Sequence, residues 1–268
     1  MLTDIMLGQY FPGNSFVHKL DPRSKIVLTL TFITSIFLAN TYISYLTVGL
    51  YICLIVLVSG IPVKIVLRSI KPLWIILLLT AAIHLFMTPG TTLVAWGPLS
   101  ITGEGVKQAV QMSARLIYLI LISSLLTFTT SPIALTDAIE RLLSPLKRFK
   151  LPVHELAMMM TIALRFVPTL LEETDRIMKA QMARGADFSS GNIIKRAQNL
   201  VPILVPLFIS AFRRADELAT AMEARCYRGG DNRTRMKELS LGLNDAVATL
   251  TIVMLILVLA WLRWGWSA

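Results

Sequence analysis

The chain has 268 residues, of which 55% are hydrophobic and only 16% charged. Soluble domains carry about 25% charged residues, so an ordinary water-soluble fold is excluded. The net charge of +10 lies outside the apolar runs and lacks interleaved aromatics, which argues for the positive flanks of membrane spans and against a nucleic-acid partner.

Residues 1–25 are polar, with Pro12, Gly13, Asn14 and Pro22, and the apolar region follows them, unlike a signal peptide. Between Lys25 and Lys64 lie 38 uncharged residues. As one helix they would be about 57 Å long, nearly twice the hydrocarbon thickness. The run must fold back, and Asn40-Thr41-Tyr42 is the natural turn. Helices are expected at 26–40 and 43–60, the second ended by Gly60-Ile61-Pro62. A third, from 72 to 88, stops at Pro89-Gly90, and a fourth covers 105–128. Glu104, Gln108, Gln111 and Arg115 recur there at helical spacing, either as a polar pathway or as a stripe packed against other helices. An Arg115 facing lipid would cost about 2.5–3.5 kcal/mol. A last span is expected at 243–262, followed by Trp264 and Trp266 at headgroup level.

Lys64, Arg68 and Lys71 lie in a short loop, and residues 129–240 carry 17 basic against 12 acidic side chains. Both should be cytoplasmic. Counting spans outward puts the N-terminus inside and the C-terminus outside. The expected fold is an all-α polytopic membrane protein with about five transmembrane helices. Its parts are a cytoplasmic N-terminal segment (1–25), four spans (26–128), a cytoplasmic segment of long amphipathic helices (129–240) and a C-terminal span (241–268).

Within 129–240, Ser131-Pro132 has helix-opening chemistry, and the helix should end near Ser144-Pro145. After Leu151-Pro152 an apolar stripe runs through Leu156, Met160, Ala163, Val167, Leu171, Thr174, Met178 and Met182, with charges on the opposite face. This long helix contains Pro168 and is expected to kink there. A second amphipathic unit follows Pro202 and Pro206 and runs to Arg225. Residues 175–185 lie over 216–226 without a gap: Asp175/Asp216, Ala180/Ala221, Ala183/Ala224 and Arg184/Arg225 are identical. An Arg between small residues at a helix end can enter a partner's groove and bond a carboxylate bidentately. Alternatively, both merely favour the helix C-terminal dipole and solvent.

No chemistry of the chain's own emerges. Asn14 stands where a phosphate loop beginning at Gly8 needs lysine. His18, His84 and His154 have no Cys or acidic partner at metal-ligand spacing, so neither a metal nor any other cofactor is expected. Cys53 and Cys226 form no disulfide framework. No nucleophile-base set is present, and an enzyme is not expected.

At Ala183-Arg184-Gly185 and Ala224-Arg225-Cys226 the sequence resembles the transmembrane T component of energy-coupling factor (ECF) transporters. The likeness extends to Gly8-Gln9-Tyr10, Pro12-Gly13, Leu20-Asp21-Pro22-Arg23, Ala163-Leu164-Arg165-Phe166 with Pro168, and Ala221-Met222-Glu223. Cys226 stands where the family motif has glycine. The resemblance implies a multi-pass protein of a prokaryotic plasma membrane that joins two ABC-type ATPases to a membrane-embedded S component capturing a vitamin or metal ion. It further implies that residues 129–240 are coupling helices, that Ala183, Arg184 and Gly185 dock one ATPase, and that Ala224, Arg225 and Cys226 dock the other. Two alternatives are a T component dedicated to cobalt, nickel or biotin, and a scaffold or anchor lying on anionic lipid.

Overall fold

The computed structural model describes residues 10–96, 99–149, 152–186, 188, 193–227, 229 and 240–264. Among these the helices are α1 (Pro22–Ile36), α2 (Tyr42–Ser59), α3 (Val63–Arg68), α4 (Trp74–Met87), α5 (Gly103–Thr129), α6 (Pro132–Leu143), α7 (Val153–Ala183), α8 (Ile193–Ala224) and α9 (Leu243–Trp264). Short 3-10 segments occupy Lys71–Leu73 and Ser144–Phe149. The fold is all-α as expected, apart from an antiparallel hairpin of β1 (Thr92–Trp96) and β2 (Leu99–Thr102) that periodicity did not announce. The chain divides into two compact units, residues 8–138 with 237–268 and residues 1–7 with 139–236.

In the first unit, α1 opens where Asp21 accepts a bond from the Arg23 amide at 2.9 Å and Pro22 takes the first turn, needing no donor there. It ends at Ile36, earlier than expected, and the chain turns before Tyr42. Fifteen residues rise about 22 Å, short of a 30 Å hydrocarbon core. Among the described residues, five helical stretches are long and apolar enough to cross a membrane: Tyr42–Ser59, Val63–Met87, Gly103–Thr129, Val153–Ala183 and Leu243–Trp264. The count of five agrees with expectation; the membership does not. α1 is too short, and α7, expected on one side of the bilayer, qualifies because charges are sparse before Glu172.

α1 and α2 each pack against both α5 and α9, which buries Phe32, Ile36, Val48, Ile52, Ile122, Leu125, Leu255 and Leu259 in one core. α4 packs closely on α5 at Gly105, where an added Cβ would lie 2.9 Å from the Leu85 carbonyl oxygen and 3.0 Å from that of His84. Thr102 caps α5 by accepting from the Gly105 amide at 3.0 Å.

Two members of the α5 stripe, Gln111 and Arg115, pack against the turn between α1 and α2, while Glu104 and Gln108 are exposed. Arg115 donates from Nη2 to Tyr45 Oη at 2.8 Å and reaches the Ala39 carbonyl at 3.5 Å, and its guanidinium lies 5.3 Å from the centre of the Phe37 ring. Gln111 donates to the Asn40 carbonyl at 2.9 Å. The turn from α1 to α2 therefore sits level with the middle of α5. The cation there serves the Ala39 carbonyl just past the end of α1, much as basic groups do at helix C-termini.

In the second unit, α7 and α8 pack in antiparallel sense: Gln181 bonds to Pro202, while Glu173 bonds to Ser210 and Arg214. α8 begins at Ile193, so Pro202 and Pro206 lie inside a helix they were expected to precede. Pro206 has no N–H for the Pro202 carbonyl. The Gln181 side-chain amide of α7 donates to that carbonyl at 3.4 Å. Pro168 likewise lies inside a continuous α7. Also within this unit, His154 pairs with Glu140 at 3.1 Å.

Candidate functional site: two arginine-capped helix ends

α7 and α8 stop by the same backbone device. At the end of α7, Arg184 is the C-cap residue (φ −87°, ψ 5°) and Gly185 takes φ +88°. The Gly185 amide donates to Met182 at 3.0 Å and the Ala186 amide to Gln181 at 3.0 Å. At the end of α8, Cys226 takes φ +55°, its amide donates to Glu223 at 2.8 Å, and the Tyr227 amide donates to Met222 at 3.1 Å. Each pair consists of a bond to the third-last helical carbonyl from two residues past the cap and one to the second-last from the residue between. This is a Schellman closure, which satisfies carbonyls the helix would leave open.

The repeat seen in the sequence is thus a repeat of conformation. The third position of each motif must adopt a left-handed backbone. Glycine does so without penalty at 185. Cysteine does so at 226 at a cost of about 1 kcal/mol. Cys226 therefore takes the same left-handed conformation at the end of α8 that Gly185 takes at the end of α7. Beside that turn, Ala183, Arg184, Ala224 and Arg225 are all exposed. Neither guanidinium bonds or pairs with a described residue. The six motif residues form two separate sites, because α7 and α8 run in opposite senses and their ends leave the α7–α8 contact in different directions. The small flanking side chains keep each cation clear of steric cover, and a Cβ at Gly185 would meet nothing within 4 Å.

The apolar sides of these helices are open as well. Leu156, Met159, Met160 and Met182 on α7 are exposed, as are Leu204, Val205, Phe208 and Phe212 on α8. Among the described residues no group of His, Cys, Asp or Glu could hold a metal ion.

Sequence reasoning missed a second polar assembly. Asp21, Lys25 and Asp245 are 5%, 6% and 6% exposed. Asp245 accepts the amides of Asp21 (2.9 Å) and Gly242 (2.8 Å), and Arg23 clasps Asp21 through Nε and Nη2. Lys25 Nζ donates to the carbonyls of Thr129 (2.9 Å) and His18 (3.2 Å). Phe11 bonds the end of α5 at Phe128. The start of α1, the end of α5 and the start of α9 are therefore fastened at one end of their unit. The signal in the sequence was Asp245, the lone acid ahead of the last apolar run.

The sequence model of the family described as "CbiQ: Cobalt transport protein" matches residues 13–236. A protein of Acidaminococcus fermentans, named energy-coupling factor transporter transmembrane protein EcfT, is 62% identical over 268 residues, covering 99% of each chain. The protein of that name from Bacillus subtilis is 47% identical over 264 residues, covering 98% of this chain and 100% of its own length. With the apolar helices and the paired arginine ends, these likenesses lead to one assignment: the chain belongs to the family of energy-coupling factor transporter transmembrane proteins and is a membrane-embedded transport component.

Proposed function

We propose that the chain is the non-catalytic coupling subunit of an importer, linking ATP hydrolysis by two ABC-type ATPases to uptake of a vitamin or metal ion by a membrane S component. The observation that carries this reading is the twin Schellman closure, which holds Arg184 and Arg225 exposed and unpaired among the described residues at the ends of two long helices. Each guanidinium offers a planar fork to an acidic groove. Two ends fit two ATPases: Ala183, Arg184 and Gly185 dock one, and Ala224, Arg225 and Cys226 dock the other. Motion of the ATPases drives α7 and α8, whose open apolar sides bear on the S component or the bilayer.

The same reading puts residues 129–240 and the N-terminus in the cytoplasm. It is supported by the basic residues Arg23, Lys25, Lys64, Arg68 and Lys71, which flank the apolar stretches on the side where α1 begins. The family description "Cobalt transport protein" favours a second reading, in which the subunit serves one dedicated substrate. Genomic neighbourhood separates the two, since a shared subunit sits with two ATPase genes and no S gene.

Arg184→Glu combined with Arg225→Glu should leave membrane insertion intact and abolish co-purification of the ATPases. Undiminished co-purification overturns the docking assignment. Equal sensitivity to charge reversal anywhere on 129–240 would instead favour a lipid-bound scaffold.

A further inference from the structure

The first unit contains a half-open cavity of about 210 Å³ bordered by α1, α2, α5 and α9, together with Phe16, Val17 and Leu20. Its wall is apolar, with Leu28, Phe32, Leu54, Leu125 and Ile252 contributing. Most of the polar groups on it are engaged from within: Lys25 donates to two carbonyls, Tyr51 bonds Thr251 at 3.1 Å, and the Thr129 hydroxyl donates to the Leu125 carbonyl at 2.9 Å. This leaves the Thr29 hydroxyl as a minor polar spot on the wall. The charges around Lys25 balance, with Arg23 and Lys25 set against Asp21 and Asp245. The balanced charges and the mostly apolar wall suit an apolar ligand better than an anion.

Leu54 and Val58 of α2 and Val247 of α9 line the cavity and are also exposed, so its wall runs continuously onto the outer apolar surface of the unit. α2 and α9 both belong to the stretches apolar enough to cross a membrane. The ligand at such an opening is the bilayer itself. From this geometry we infer that the cavity is a binding site for one acyl chain of a phospholipid, drawn from the leaflet on the Lys25 side and entering between α2 and α9. The chain fills space that no described side chain occupies, and the headgroup stays at the surface.

The test uses the full-length protein in nanodiscs of phosphatidylcholine carrying a diazirine on one acyl chain, with photolabelled residues located by mass spectrometry. Labelling of Leu28 and Ile252 is expected, alongside the outward-facing Leu46 and Leu50. Ala248 lines the cavity, so Ala248→Phe should abolish the label at Leu28 and Ile252 and keep it at Leu46 and Leu50. An unlabelled cavity wall in the parent protein overturns the inference, as does a wall label that persists in Ala248→Phe. If Ala248→Phe also loses the outward labels, Thr29→Phe on the facing helix decides by the same two readings.

Discussion

Substituting Cys226 with glycine and Gly185 with alanine should move the two helix ends in opposite directions. Cys226 holds φ +55° with a side chain that disfavours it, whereas Gly185 holds φ +88° without one. The left-handed region costs a residue with a Cβ roughly 1–2 kcal/mol. Glycine's greater freedom in the unfolded segment returns about 0.4–1 kcal/mol of that. The net change is near 0.5–1 kcal/mol at each site, stabilising for Cys226→Gly and destabilising for Gly185→Ala. Space plays no part at Gly185, because nothing lies within 4 Å of the added carbon. Amide hydrogen exchange reads the effect directly. The amides of Tyr227 and Ala186 are held by the carbonyls of Met222 and Gln181 and exchange only when the closure opens. Protection at Tyr227 should rise about two- to fivefold in the first variant, and protection at Ala186 should fall by a similar factor in the second. A fall at Tyr227, or no change at Ala186, would refute the claim that both motifs require the same backbone.

Lys25→Met strands the carbonyls of Thr129 and His18 beside two buried carboxylates. It should cost about 2 kcal/mol or more, read as a lower thermal midpoint of the solubilised protein; an unchanged midpoint counts against the polar fastening. Gly105→Ala would gain about 1 kcal/mol on helix propensity alone. Here it meets carbonyl oxygens at 2.9 and 3.0 Å and should instead destabilise by about 1–3 kcal/mol, so any rise in midpoint contradicts the close approach of α4 and α5. Arg115→Lys keeps the charge but loses the planar group that lies over Phe37 while donating to Tyr45, a loss of about 1 kcal/mol. Impaired transport at an unchanged thermal midpoint would point to a polar pathway instead.

The apolar spans and their turns were legible because burial in lipid writes long uncharged runs into the chain. α2, α5 and α9 match expectation within a few residues. The duplicated motif was legible too, since Asp175/Asp216 and Arg184/Arg225 repeat at a fixed offset. What the sequence hid depends on tertiary partners. α1 stops at Ile36 because the following turn is held by Arg115 and Gln111 from another helix. Pro206 reads as a helix breaker until Gln181 of α7 supplies the donor its neighbour lacks. The link between Asp21 and Asp245 joins residues 224 positions apart, and composition cannot reveal it. The conformation at Cys226 was hidden for a different reason, since a cysteine carries no signal for a left-handed turn.

The antiparallel pairing of α7 and α8 leaves overhangs of unequal length beyond its outermost bonds. Arg184 lies three residues beyond Gln181, a reach of about 5 Å, while Arg225 lies eleven residues beyond Arg214, a reach of about 16 Å. The same small bend at the outermost α7–α8 bond on each helix therefore moves Arg225 roughly three times as far as Arg184, whereas a rigid pivot about the Glu173–Arg214 bond, from which each tip is eleven residues away, would move both alike.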